Sequence, residues 1–211
     1  VILAILAYGM WGLAPLYFKQ IIEIPSLDIL VHRIVWSTLL LAVIIGMKKQ
    51  WSTIRQVLRQ PRTTAMLFLS ASLLGFNWWL FIWSINNDHM LDASLGYYIN
   101  PLLNIALGML FLGERLSRLQ YAAVGLAALG VIIQLVTFGS FPYVAFALAL
   151  SFAFYGLIRK TISVDSVAGL LIESLLLVVP AVVYWWLFAE SPAMNMANNT
   201  LGLNLLLMAA G

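Results

Sequence analysis

The sequence predicts an all-α fold, a polytopic membrane helix bundle, on three observations. Hydrophobic residues make up 63% of the 211 and charged residues 9%, against about 25% charged in an ordinary soluble domain. The mean hydropathy of +0.98 is too high to be confined to a core. Apolar stretches of about 20 residues, the length that crosses about 30 Å of hydrocarbon as a helix, recur along the whole chain. Strands of a membrane barrel would alternate in polarity over about 10 residues. Runs such as Leu39-Leu40-Leu41-Ala42-Val43-Ile44-Ile45 do not alternate.

Taken in order, seven spans and the start of an eighth are expected, at roughly 1–20, 28–47, 63–86, 91–112, 119–137, 142–160, 166–188 and 201 onward. The first runs to Lys19 and is separated from the second by Pro25-Ser26. The second stops at a long basic loop, 48–62, and the third at the loop 87–90. The fourth contains Pro101, which removes one backbone donor and predicts a kink, and stops at Gly113-Glu114. The fifth stops at Gly139-Ser140, the sixth at Arg159-Lys160, and the seventh before Ser191-Pro192. Such short connections rich in Gly, Pro and Ser are the expected breakers. Val1 and Gly211 both fall inside apolar stretches, so both ends read as cut, and no cleavable signal peptide is recognisable.

Orientation follows from Lys and Arg, which collect on the cytoplasmic side of short loops. The 48–62 loop carries Lys48, Lys49, Arg55, Arg59 and Arg62; 113–118 carries Arg115 and Arg118; the sixth span ends in Arg159 and Lys160. These nine of eleven basic residues fall on one side, and the loops between hold none. The N-terminus is therefore expected in the cytoplasm. Other classes are excluded on composition. A net charge of +3 spread over the chain is no nucleic-acid footprint. Zero cysteines exclude disulfides and thiolate metal ligands. There is no Gly-x-x-x-x-Gly-Lys phosphate loop, so no ATP-driven pump is expected, and no cofactor is implied.

The chain also carries an internal repeat. Ala7-Tyr8-Gly9-Met10-Trp11-Gly12-Leu13 in the first span overlays Ser151-Phe152-Ala153-Phe154-Tyr155-Gly156-Leu157 in the sixth. A displacement of five spans inverts the second copy across the membrane, the design of many secondary transporters. The expected division is 1–138 for the first five-helix repeat and 139–211 for the start of the second. Two full copies, ten helices, need roughly 290 residues, so about seven and a half helices are expected here and about 80 residues beyond Gly211.

With the repeat in place, the chain resembles the EamA family of the drug/metabolite transporter superfamily, and within it the RarD-type proteins. The residues that carry the likeness are Tyr8-Gly-Met-Trp-Gly-Leu-Ala-Pro-Leu-Tyr-Phe-Lys19, His32-Arg33-Ile-Val-Trp36, Asn77-Trp78-Trp79, Ala93-Ser-Leu-Gly-Tyr-Tyr-Ile-Asn-Pro-Leu102, Leu112-Gly-Glu-Arg-Leu116 and Ser151-Phe-Ala-Phe-Tyr-Gly-Leu-Ile-Arg-Lys160. The resemblance implies ten helices in inverted repeats, a bacterial inner-membrane location, and efflux or exchange of small solutes.

Polar residues within the spans are the candidate site. Placing a charge at the bilayer centre costs about 2.5–3.5 kcal/mol or more, so such groups face the bundle interior or a water-filled cavity. If the seventh span repeats the second, Leu30-Val31-His32-Arg33 overlays Leu170-Leu171-Ile172-Glu173. Arg33 and Glu173 are then expected to face a common central cavity, as an ion pair or as two ends of a substrate site; the alternatives are a purely structural pair or snorkelling of Arg33. Glu173 is also the candidate carrier of a coupling H+, because burial disfavours a charged carboxyl. The same cavity is expected to draw on Trp11, Asn77, Trp78, Tyr97, Asn100, Asn104 and Tyr155, with Lys19, His32 and Trp36 as further candidates. For the amides the alternative is interhelical hydrogen bonding, and for the aromatics simple packing. One of Trp78 and Trp79 must face away from any cavity. Gly12, Gly156 and the Gly125-x-x-x-x-Gly130 stretch are expected at close helix contacts.

A metal site is not expected, since the only histidines are His32 and His89. Asp88, His89 and Asp92 in the loop after the third span are the only group that hints at an enzyme, and they read as a solvated loop. The expectation is a transporter of small molecules set in the lipid bilayer, with no enzymatic activity. The alternative is a channel-like or structural membrane subunit.

Overall fold

The computed structural model describes residues 2–188, 191 and 193–211, and the side chains of residues 2–4, 7 and 8 are excepted. Val1, Pro192 and the side chain of Tyr8 thus lie outside the described residues. The chain forms α1 (Ile2–Lys19), α2 (Ser26–Met47), α3 (Trp51–Leu58), α4 (Pro61–Asn86), α5 (Met90–Leu112), α6 (Arg118–Thr137), α7 (Tyr143–Thr161), α8 (Ser166–Leu187) and α9 (Leu201–Ala209). Among the described residues there is no strand. Among the described residues, six helices, α2 and α4 to α8, are long and apolar enough to cross a membrane. The fold is the expected all-α polytopic bundle. One element is unforeseen: the basic loop 48–62 folds around α3, whose Ile54 and Val57 are buried against Leu41, Ile45, Leu67 and Leu171.

Local chemistry sets several helix ends. Pro61 opens α4 at its first turn, where the missing N–H has no intrahelical partner to lose. Ser117 and Gln120 form a capping box for α6: Ser117 N–H donates to Gln120 Oε1 at 2.7 Å, and Gln120 N–H donates to Ser117 Oγ at 3.4 Å. Asp165 accepts from Val167 and Ala168 N–H at the start of α8, and Thr200 caps α9. Gly113 ends α5 with φ +66, the left-handed conformation that favours glycine. Pro15, Pro101 and Pro180 all sit inside continuous helices.

The bundle packs most extensively where α5 lies on α7, α2 on α8, and α4 between α7 and α8. The α5–α7 approach is close because Gly96 leaves no side chain in the way; a Cβ there would sit 2.9 Å from Ala145 O. Ala145 and Ala149 on the facing side are fully or almost fully buried. Small residues at helix crossings let backbones approach and gain dispersion contacts that lipid cannot supply. Among the described residues, the close packing expected at Gly12, Gly125 and Gly130 is not found: none lies within 4 Å of a Cβ at any of these positions, and α6 has no buried residue. Gly156 meets only Asn104 Oδ1, at 3.3 Å. Periodicity marks a small residue on a helix, but whether a neighbour faces it is decided by which helices meet.

α2 and α8 run antiparallel. The end of α2 (Leu41, Ile45) packs on the beginning of α8 (Ala168, Leu171, Ile172). The beginning of α2 (Val31, Ile34) packs on Ala181, near the end of α8. This crossing controls where the two candidate charges lie.

Candidate functional site

Arg33 and Glu173 are each the eighth residue of their helix, roughly 10 Å from its start at 1.5 Å per residue. In an antiparallel pair these positions fall near opposite ends, roughly 12 Å apart along an axis of about 33 Å. Of the two arrangements expected, an ion pair or two ends of a substrate site, the direct Arg33–Glu173 pair is not formed. Glu173 pairs with Arg159 instead, Nε to Oε1 at 3.7 Å. The sequence places Arg159 at the cytoplasmic end of the sixth span. In the structure it lies on α7 with its side chain 14% exposed, turned toward α8.

Glu173 is completely buried. Ser70 Oγ on α4 donates to Oε1 at 2.5 Å, and Tyr155 Oη on α7 donates to Oε2 at 3.4 Å. Three helices thus converge on one carboxylate, with hydroxyl donors on both oxygens and a guanidinium beside it. Buried charge is tolerated only with such partners. Arg159 Nη1 is itself buried without an acceptor.

Arg33 occupies different surroundings. Its Cζ lies 4.5 Å from the centroid of the Trp78 ring, a cation–π contact that joins α2 to α4. Tyr17 on α1 and Tyr97 on α5 lie within electrostatic reach of it. Beyond them an aromatic cluster links three helices: Trp11 meets Phe81 at 6.1 Å and Tyr97 at 6.3 Å, and Phe81 meets Tyr97 at 5.7 Å. Trp79, the neighbour of Trp78, turns the other way, against Phe76 and the groove bounded by Leu177 and Pro180.

The amides form ties between helices. Asn77 Nδ2 donates to Leu148 O at 2.9 Å and to Ser151 Oγ at 3.0 Å, joining α4 to α7. Asn100 Nδ2 donates to Ala149 O at 3.2 Å, and Asn104 Nδ2 donates to Asn100 Oδ1 at 2.6 Å. Asn77, Tyr97 and Asn100 border one narrow gap with Leu148 and Phe152. Asn104 and Gly156 border a separate cleft of about 350 Å³ that ends at Lys160. Tyr155 joins the Glu173 cluster, whereas Trp11 joins the aromatic cluster near Arg33, so the two matched aromatics serve different ends.

The further candidates on α2 face elsewhere. His32 is fully buried, with Nε2 2.8 Å from Ala193 O and Nδ1 accepting from Trp36 Nε1 at 3.3 Å. Its ring also lies 4.9 Å from that of Trp185. His32 and Trp36 thus hold the segment before α9 rather than approach Arg33. Lys19 is exposed at the end of α1. His89 Nδ1 sits 3.1 Å from Asp92 Oδ2 and stacks on Trp83 at 5.2 Å.

Sequence reasoning missed Ser70, Tyr17 and Asp28. Asp28 is 1% exposed, accepts from Tyr184 Oη at 2.8 Å, and also accepts from Ser191 Oγ. A carboxylate two residues into a membrane helix is a signal that donors from elsewhere, here Tyr184 on α8 and Ser191 beyond it, must satisfy it. Serines in apolar helices carry no comparable mark.

Comparison with known proteins agrees with this architecture. The EamA-like transporter family model matches residues 1–136. An uncharacterized transporter of Vibrio cholerae is 57% identical over 211 residues, all of this chain and 70% of the relative. Protein RarD of Escherichia coli is 52% identical over all of this chain and 71% of its own length. A protein of Pseudomonas aeruginosa named chloramphenicol-sensitive protein RarD is 31% identical over 93% of this chain and 68% of its own. No solved structure matches the chain. With its multi-pass helical bundle and relatives of RarD type over its full length, the chain belongs to the EamA-like transporter family.

Proposed function

We propose that the protein moves small organic solutes across a bacterial inner membrane by alternating access, with its N-terminus in the cytoplasm and H+ as the coupling ion. The observation that carries this reading is the pair of ionisable clusters inside a chain with only 9% charged residues: Arg33 on Trp78, and Glu173 with Ser70, Tyr155 and Arg159. Charges at this depth are costly, so a bundle that needed only to stand in lipid has no use for them.

The packing also supports an inverted repeat divided at 1–138 and 139–211. If α8 is the counterpart of α2 and α9 that of α4, the contact of α4 with α8 has its equivalent in α9 with α2, and both occur. Rocking of one half on the other would open first the Arg33 end and then the Glu173 end. Glu173 is the group that would take up and release the proton, with Ser70, Tyr155 and Arg159 as its immediate partners. Trp11, Trp78 and Tyr97 would line the path, and Asn77, Asn100 and Asn104 would hold its wall.

The test is uptake into proteoliposomes under an imposed pH gradient, screening labelled amino acids, nucleobases and amphipathic drugs. Saturable uptake in the protein that is lost in Arg33→Ala, and that loses its dependence on the gradient in Glu173→Gln, is the expected result. Uptake indifferent to both substitutions would move the site elsewhere. Absence of flux for every solute class would favour a structural subunit.

A further inference from the structure

Nearly every polar side chain that the bundle encloses has a protein partner. Asn77, Asn100 and Asn104 donate across or along helices, His32 binds Ala193 O, and Glu173 binds three neighbours. Arg33 is different. Its Nε is buried with no hydrogen-bond partner, and it takes part in none of the salt bridges among the described residues. A guanidinium keeps its proton at any ordinary pH, so Arg33 has no neutral form with which to escape the cost of burial. An uncompensated buried charge is strongly unfavourable. An anion on its free edge would remove that cost.

The surroundings say what shape the anion has. The guanidinium lies 4.5 Å from the centroid of the Trp78 ring, a contact that uses its face, and a carboxylate is the anion that its N–H donors would meet in two parallel hydrogen bonds. Tyr97 lies within electrostatic reach of Arg33, and it and Trp11, 6.3 Å apart, are 50% and 44% exposed, so both keep uncovered ring surface. A flat apolar body gains there by offset or edge-on stacking. We propose that Arg33, Trp11, Trp78 and Tyr97 form a site for aromatic monocarboxylates, the carboxylate on Arg33 and the ring against Trp11 and Tyr97. This names a substrate class for the transport reading above and rests on it. A phosphate of a lipid headgroup offers a similar anion without the ring, so the test separates the two.

The test is equilibrium binding to the protein in nanodiscs of zwitterionic lipid, with radiolabelled benzoate, its neutral analogue benzamide and its cationic analogue benzylamine. Benzoate is expected to bind saturably and at least about tenfold more tightly than either analogue, as a charge-assisted pair implies. Arg33→Gln should bring benzoate down to the level of benzamide, and Arg33→Lys should keep part of the preference. Trp78→Leu should weaken benzoate several-fold while keeping the order of the three, which guards against a simple folding defect in the Arg33 variants. Equal binding of the three probes, or a benzoate preference that survives Arg33→Gln, overturns the site. So does benzoate binding that is absent in zwitterionic lipid while anionic lipid is held in an Arg33-dependent way, which assigns the guanidinium to headgroups. Arg33-dependent benzoate binding without flux in proteoliposomes upholds the site and overturns transport. Flux of neutral solutes alone upholds transport and overturns the anion site.

Discussion

The guanidinium of Arg159 occupies the space that a side chain on Gly169 would need: a Cβ built there collides with Nη1, Nη2 and Cζ of Arg159. Gly169 stands one turn before Glu173 on α8, so the missing side chain is the slot through which α7 delivers a cation to the carboxylate of α8.

Gly169→Ala therefore removes Arg159 from Glu173, although alanine is the better helix former by up to about 1 kcal/mol. The expected net loss is about 2 kcal/mol, below the roughly 3–5 kcal/mol of a fully buried pair because Arg159 keeps 14% exposure. Thermal unfolding in detergent measures it, and the double variant with Glu173→Gln should show a much smaller loss. Equal losses in both backgrounds would mean that the collision, not the ion pair, is what Gly169 prevents.

Asn77→Ala should loosen α4 from α7. Two hydrogen bonds disappear, but Ser151 Oγ still donates to Leu148 O at 3.1 Å, so neither group is wholly orphaned. A loss of about 1 kcal/mol is expected, within the range measured for interhelical bonds in membranes. Binding of benzoate should change less than threefold, since Asn77 acts here as a tie between helices; a larger change would make it a contact residue.

Gly96→Val and Gly125→Val form a contrasting pair. A Cβ at 96 meets Ala145 O at 2.9 Å and Leu148 Cβ at 3.3 Å, whereas nothing lies within 4 Å of one at 125. The first should lower the unfolding temperature by several degrees, as overpacking typically costs about 1–3 kcal/mol. The second should leave it within about a degree. Comparable losses would show that Gly125 is covered by packing that the α5–α7 contact does not represent.

His32→Leu should free the segment around Ala193, which His32 Nε2 holds at 2.8 Å. The expected effect is destabilisation of about 1–3 kcal/mol from the lost buried partner, with faster amide exchange at residues 193–195. Solute affinity should remain within about twofold, because the ring faces Trp185 and not Trp78. A tenfold loss of affinity would restore His32 to the binding site.

The Lys160–Glu114 pair, 3.1 Å apart, bridges the ends of α7 and α5 with both side chains about half exposed. Lys160→Ala should cost less than about 1 kcal/mol, the usual worth of a surface ion pair. A larger loss would mean that this end of the 350 Å³ cleft is closed by the pair.

The helices were legible because lipid is a demanding solvent: each span must be apolar for about 20 residues, and breakers must fall between spans. Pro25-Ser26, Gly113 and Gly139 mark ends that the structure confirms. α3 was not legible, because an eight-residue helix on a basic loop has only Ile54 and Val57 to bury. Arg33 and Glu173 were found through their cost in lipid, whereas their partners were not. Ser70 looks like any serine on an apolar helix, and Arg159 sits where a loop cation is expected.

By itself the sequence determined an all-helical membrane bundle, its spans and its family resemblance, because hydrophobic length and motif are properties of contiguous residues. Only the tertiary structure decided that Glu173 meets Arg159 and not Arg33, that Gly96 and Gly169 are close approaches, and that Arg33 rests on Trp78 with no acid among the described residues. Those relationships depend on which helices cross, in which direction and at what height. The antiparallel run of α2 against α8 sets them, and no local pattern in either helix encodes it.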